Sequence, residues 1–560
     1  MFKKTDPNPQ LDIFTAPSMQ LGSRASKKYS DPNAWHNQFY SLVTTKIDEE
    51  IFKPLFPEGK KSGRPNASIR ILVAMSVLKE GFGCSDEDLF EKCEFDLLTR
   101  KALGMELLTD VTPSIDTYYL FRRRICEYQE RTGIDLMQLC FEQLAGNQVR
   151  LLKISGKCVR MDSKLIGSNI ARQSRYELIH TTLVKFLKTC TLTHLSPEQE
   201  ERAKEYLKED SSKTVYRSDS DTLQSNLARI GNFIMEMLAT FPATSPAHDL
   251  LQRLFDEQYA VKDGKAVLRD KKKVKADSLQ NPNDPDATYR AKNDQKVQGY
   301  VTNITETVEE GKPNIITSVQ VETAVFADCH FLQEAVENSE RVTDSTIEDL
   351  YADGAYQSPD NREFAKNHNA MQLKTGKMQG GCRWELIPHD EDGLTVREIA
   401  TGNTYEAVKA VTKQGSRKRW RIPWNNKTGW RYFEDKDIKA YQLRKQIESL
   451  PLEEQHKRNN VEAAMFQYSF HTRKGKTRYR GLLKHRMHAY SRCMWMNLRR
   501  MVIFQISTFQ RSIFALFGPI REAFGSFKAI SRKIFTSGAD CYVSLRMTTL
   551  ARLDSKYVPF

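Results

Sequence analysis

No apolar run in this 560-residue chain is long and clean enough to cross a bilayer. The most apolar stretch, Met494 to Phe517, is broken by Arg499, Arg500 and Arg511, which argues against a membrane span. The opening MFKKTDPNPQ lacks the apolar centre of a secretory signal, so none is expected. Ten cysteines include no Cys-x-x-Cys pair and no zinc-ligand spacing. That excludes the common zinc modules and suits free thiols in a reducing cytoplasm. Repeats and low-complexity tracts are absent as well. The expected location is the cytoplasm, in association with the nucleoid.

What is present is segregated charge. The net charge is +14, and residues 471–560 carry 18 Lys or Arg against 3 Asp or Glu. The rest of the chain is therefore nearly balanced. A basic block of this kind suits a polyanion, usually nucleic acid, because each neutralised phosphate releases counterions. An anionic membrane surface is the rival partner. His485 and His488, three apart, read as members of a basic DNA-facing surface rather than as metal ligands. With 39% apolar residues the chain can bury real cores, and its length calls for several units or one core with large insertions.

Along the chain, residues 1–35 read as a polar N-terminal arm and residues 36–150 as a helical DNA-binding domain. In NASIRILVAMSVLKE, Ile69, Leu72, Ala74 or Met75, and Leu78 mark one apolar face. Ser85 with Asp88 predicts a capping box. TYYLFRRRI ends in the basic run Arg122, Arg123 and Arg124. KCVRMDSKLIG reads as a strand carrying Asp162. QGYVTNITETV and NIITSVQVETA, joined by EEGKPN, predict a hairpin. IEDLYADGAYQS predicts a strand ending at Asp353 and Gly354, and Ser358 with Pro359 a helix start. Residues 172–288 read as a helical insertion and 368–450 as a β-rich one. A long helix through QHKRNNVEAAMFQYSF carries Glu462.

Cutting a phosphodiester without a covalent intermediate needs an oxygen nucleophile and neutralisation of developing charge, which two Mg²⁺ ions supply. Hard cations take oxygen ligands. Two strand-end aspartates, Asp162 and Asp353, and a helical Glu462 have the chemistry and contexts to meet at such a site.

In these motifs the chain resembles the DDE transposases of insertion sequences, with an InsH-type N-terminal domain. The stretch from SGRPNASIRILVAMSVLKEGFGCSDEDLF to PSIDTYYLFRRRI resembles their N-terminal domain. VRMDSKLIGSN, YADGAYQS and RNNVEAAMFQYSFHTRKGKTRYRG resemble the three blocks that carry the catalytic acids. The resemblance implies an α/β fold: an RNase H-like mixed-sheet catalytic core over 151–500 holding both insertions, followed by a basic C-terminal segment, 501–560. It implies that Asp162, Asp353 and Glu462 bind two Mg²⁺, with Mn²⁺ able to substitute. In that family the Glu block has Tyr, Arg and Lys at fixed spacings around Glu. Here Arg458 stands at the Arg position, while Gln455 and Ser469 replace Tyr and Lys, so Arg473 or Lys474 is expected in the lysine's role. In relatives a Trp of the second insertion stacks on a flipped base. Trp420, Trp424 and Trp430 are the candidates here, amid Lys418, Arg419 and Arg421.

The expected function is that of an endonuclease and strand-transfer enzyme acting in DNA transposition. Its expected partners are the duplex end repeats of its element, target DNA and further copies of itself on paired ends. Arg478 and Arg480 complete the expected phosphate contacts. The alternatives are a DNA-binding repressor with an inactive core, and an RNase H-like nuclease that cuts without joining.

Overall fold

The structure, a computed structural model, describes residues 2–5, 16–56, 65–242, 245–292, 295–375, 382–389, 393–410, 419–424, 429–449, 451, 454, 457 and 461–523. Its N-terminal part is helical: α1 (Pro17–Gln20), α2 (Ser23–Tyr29), α3 (Trp35–Leu42), α4 (Ile69–Phe82), α5 (Asp86–Phe95), α6 (Leu97–Leu103), α7 (Ile115–Thr132) and α8 (Leu136–Leu152). Within the expected arm, α1 and α2 are ordered helices and Tyr29 is buried. Ser85 and Asp88 cap α5 reciprocally, each backbone N–H donating to the other side chain at 3.0 Å, so two N-terminal donors are satisfied. The one-faced helix expected at α4 is instead buried around its circumference, through Ile69, Leu72, Val73, Met75, Val77 and Leu78. The last helix, α18 (Leu482–Ala523), packs along α4 and encloses its remaining face.

The central sheet is built on β1 (Cys158–Gly167), the strand its sequence predicts. Next come α9 (Arg175–Leu187), α10 (Pro197–Lys208), α11 (Ser211–Arg217), α12 (Ser220–Thr240) and α13 (Pro246–Gln258), with a small hairpin of β2 (Tyr259–Lys262) and β3 (Lys265–Leu268). These helices share their own apolar core around Ile179, Leu183, Phe233 and Leu251. The chain then returns through β4 (Thr288–Lys292), β5 (Gln295–Thr307), β6 (Ile316–Thr323), α14 (Leu332–Thr343), β7 (Asp349–Ala352), α15 (Pro359–Asn367) and β8 (Gln372–Thr375). The strand order is β4-β5-β1-β7-β8, with β6 also on β5. β5 runs antiparallel to β1 and β6, whereas β1, β7 and β8 are parallel. Gly299 faces Gly167 across β5 and β1. A Cβ on Gly299 would stand 2.3 Å from the Ile166 carbonyl oxygen, so the close crossing excludes any side chain there.

β8 corrects the expected limit of the second insertion. Residues 372–375 pair with β7 and belong to the central sheet. The insertion proper is an antiparallel sheet of β9 (Trp384–His389), β10 (Gly393–Glu398), β11 (Thr404–Ala410), β12 (Arg419–Trp424) and β13 (Gly429–Glu434), in spatial order β13-β12-β11-β10-β9. α16 (Asp435–Glu448) covers one face, placing Ile438 and Tyr441 against Trp384, Leu394, Trp420 and Phe433. α17 (Val461–Ser469) then lies on β1, and α18 runs through residue 500 without a break. Among the described residues no helix is long and apolar enough to cross a membrane, and every described cysteine is a free thiol.

Candidate active site

The two faces of β1 have different duties. Val159 and Met161 enter the core beneath α14 with Leu332, Val336, Leu350 and Ala352. By the period of two, Arg160, Asp162 and Lys164 project from the other face. The parallel register pairs Val159 with Leu350 and Arg160 with Tyr351. Asp162 lies two positions further along β1, and Asp353 follows Ala352, the last residue of β7. Both are half-buried. The Ser163 N–H donates to Asp162 Oδ1 at 2.8 Å, and the Gly354 N–H to Asp353 Oδ1 at 2.6 Å. Buried Tyr356 feels both: burial first, then the charges of Asp162, Asp328 and Asp353, hold its hydroxyl well above the usual phenol range. It stays protonated and donates to Asn303 Oδ1 at 2.6 Å.

Glu462 reaches this region on α17, whose Val461, Ala464, Met465 and Tyr468 are buried at helical spacing. Contacts fix its level along β1. Arg160 donates to the Lys457 carbonyl at 2.8 Å, and Lys164 Nζ to Ser469 Oγ at 2.8 Å and the Met465 carbonyl at 3.5 Å. Asp162 lies between Arg160 and Lys164, as Glu462 lies between Lys457 and Met465. Glu462 itself is exposed. Among the described residues no three His, Cys, Asp or Glu side chains are gathered into a group that could hold a metal ion. Both aspartates act on the Tyr356 hydroxyl, and Glu462 lies on α17, which packs on β1.

Lys164 was not among the expected site residues, although the spacing Asp-x-Lys on a strand puts it on the face of Asp162. Burial lowers its pKa, against the opposing pull of Asp162. Beneath the site, Arg160 meets Glu306 of β5 at 2.5 Å, and Arg500 of α18 meets the same carboxylate at 2.7 Å. This triad ties β1, β5 and α18 together.

The expected DNA-binding residues fall into several settings. Arg122 packs over the rings of Tyr118 and Tyr479, and Arg124 over Phe56. Arg123 is exposed and 3.4 Å from Glu127. Arg478 donates to the carbonyls of Gly83 and Cys84, and Arg480 to that of Asn169 at 2.7 Å. Arg473 and Lys474 stand exposed at a hairpin tip. Arg419 and Arg421 lie over Tyr432 and Trp430, at 4.0 and 4.2 Å from the ring centroids.

Trp420 is corrected from a base-stacking candidate to a core residue, 3% exposed. Its parity on β12 turns it toward α16, while Trp430 is 48% exposed. Lys418, Gln455, Arg458 and the Trp424 side chain lie outside the described residues. The basic face expected at His485 and His488 is also corrected. His485 is 1% exposed, its ring tilted against that of Tyr300 with centroids 4.2 Å apart, and His488 meets Glu80 at 2.6 Å.

Residues 28–124 match the family model described as a transposase domain (DUF772). The match runs from the end of α2 into α7 and supports a DNA transposase. No curated protein and no solved structure matches the chain. Beyond this transposase domain, the chemistry is read from the geometry of β1, β7 and α17.

Proposed function

We infer that this chain is a DDE transposase with an RNase H-like core, which cuts the DNA ends of its element and joins them to target DNA. The observation that supports the reading is the parallel pairing of β1, which carries Asp162, with β7, which leads into Asp353, while α17 lies on β1. The transposase domain at residues 28–124 supports the same substrate class. The mixed sheet, with β1 between an antiparallel and a parallel neighbour, supports the core.

Two half-buried carboxylates, one on β1 and one just past the end of β7, are the oxygen donors a hard divalent cation takes, and its remaining ligands would be water and phosphate. Asp162 and Asp353 would be the first donors and Glu462 the third. Magnesium bound there, with manganese able to substitute, would stabilise the charge growing on phosphate and lower the pKa of the attacking water. In cleavage the water oxygen bonds to phosphorus, and the 3′-oxygen leaves and takes a proton. In transfer that 3′-hydroxyl attacks a target phosphodiester and displaces the target's own 3′-oxygen. Arg473, Lys474, Arg419 and Arg421 are the exposed or outward cations placed to hold phosphates. End repeats bound by copies of the chain would be brought together in a dimer or larger assembly.

The test incubates the protein with candidate end DNA and Mg²⁺ and resolves nicked, hairpin and joined products on denaturing gels. Joined product that EDTA abolishes is expected. Cutting with no joining would replace this reading by a nuclease, and binding with no cutting by a repressor.

A further inference from the structure

α17 has a second face. Opposite the buried Val461, Ala464, Met465 and Tyr468, Phe466 is 63% exposed, and Phe470 just past the helix end is 39% exposed. Their rings meet edge to face, centroids 5.9 Å apart. Phe466 follows Glu462 by four residues, one turn along the same face. Two exposed phenylalanines on a well-packed helix forgo apolar burial that inward positions offer, and such patches mark binding sites.

The patch continues into cations. Arg473 and Lys476 exchange backbone hydrogen bonds at 3.0 Å, and Lys474 and Gly475 both have positive φ, at 52° and 71°. That is a type I′ turn, with exposed Arg473 and Lys474 at its tip. The Gly167 N–H donates to the Gly475 carbonyl at 2.8 Å, fixing the turn to the end of β1. α17 is fixed as well, through Lys164 to Ser469 and through Tyr468, whose hydroxyl lies 3.1 Å from Thr302 Oγ1. A rigid element therefore presents, in order, a carboxylate, two aromatic rings and two cations.

We propose that Phe466 and Phe470 form a stacking platform for an unpaired base of a DNA strand, with Arg473 and Lys474 holding the adjacent phosphates. Aromatic side chains among cations suit unstacked nucleotides, and a paired duplex hides the base faces such rings need. The charge of the turn commits the surface to a polyanion. The inference rests on the strand-cutting reading, because it places an opened strand end one helical turn from Glu462.

The test compares a blunt duplex with a forked duplex of equal length carrying a four-nucleotide unpaired tail. Wild-type protein is expected to prefer the fork, and the Phe466→Ala/Phe470→Ala protein to lose about tenfold of that ratio, as losing base stacking costs. Phe466→Trp should keep the preference, and the fluorescence of its added indole should be quenched by the fork. Circular dichroism checks that both variants fold. A ratio that persists in the double variant, or an added indole whose signal is blind to the fork, overturns the proposal. So does a double variant that changes oligomeric state but not the ratio, since the rings would then serve a protein contact. Wild-type cutting of end DNA without fork preference removes the platform alone. Fork preference without cutting removes the catalytic reading alone.

Discussion

Two sets of charges sit two residues apart on β1 and live under different rules. Arg160 is buried and matched by Glu306, which Arg500 also engages. Asp162 is half-buried, and so is Asp353 just past the end of the neighbouring strand β7. Charges of the first kind hold the fold and are costly to break singly, because removing one leaves another stranded. Charges of the second kind are poorly placed for stability and well placed to bind a cation. The same strand supplies the support and the chemistry.

That contrast predicts opposite failures. Asp353→Asn keeps side-chain size and removes one of the negative charges that act on buried Tyr356, so stability should hold or rise slightly. Cleavage should fall by more than a hundredfold, since one electrostatic contact to a transition state is worth on the order of 3 kcal/mol and a lost metal more. DNA affinity should survive in a gel shift. An Asp353→Asn protein that cuts normally would end the DDE assignment. Arg160→Met should do the reverse and destabilise the protein by about 3–5 kcal/mol in urea unfolding. A variant as stable as wild type would show that Arg500 alone satisfies Glu306.

A second buried charge sharpens the comparison through pH. Burial opposes ionisation of Glu80, but the charge and hydrogen bond of His488, with Lys79 and Tyr479, overcome it and hold the carboxyl at about 2. A depressed pKa contributes stability above the unfolded value, lost as pH falls through the folded one. Glu80 should therefore contribute roughly 3 kcal/mol near neutrality, lost between about pH 4.5 and pH 2. Stability measured against pH should lose part of its acid slope in Glu80→Gln. An unchanged slope would mean that other carboxylates drive acid unfolding.

Local signals were legible in the sequence wherever a few neighbouring residues decide the outcome. The limits of β1, the Ser85 capping box, the β5–β6 hairpin and the Ser358 helix start all read correctly. Features set by distant partners did not. His485 and His488 sit among Lys484 and Arg486, and partners that include Tyr300 and Glu80, far off in sequence, make them interior. β8 is four residues long and becomes a core strand only by pairing with β7. Trp420 and Trp430 have similar surroundings in sequence, and only the side that α16 covers separates core from surface. For the site, the flanks of Asp162 and Asp353 indicated β1, which carries the first, and β7, which leads into the second, and said nothing of how the two carboxylates lie to one another. The outward rings of α17 follow from helical parity with Glu462, a signal that was there to read.

The smallest effect tests where the basic charge acts. Part of the C-terminal basic charge is engaged within the chain: Arg478 with the carbonyls of Gly83 and Cys84, Arg486 with Glu322 at 2.5 Å, and Arg492 with the Glu80 carbonyl at 2.9 Å. By contrast, Arg421 stands on the outer face of the insertion sheet against exposed Trp430. A cation that contacts phosphate contributes about one unit to the slope of log affinity against log salt. Arg421→Ala should therefore weaken DNA binding only a few-fold at moderate salt and lower that slope by about one. Arg478→Ala should leave the slope in place and instead lower the thermal midpoint, because it unties the loop after α4 from the chain leading into α18. Affinity titrations at several salt concentrations separate the two. If Arg478→Ala lowered the slope and Arg421→Ala did not, the DNA path would follow the C-terminal block rather than the insertion sheet.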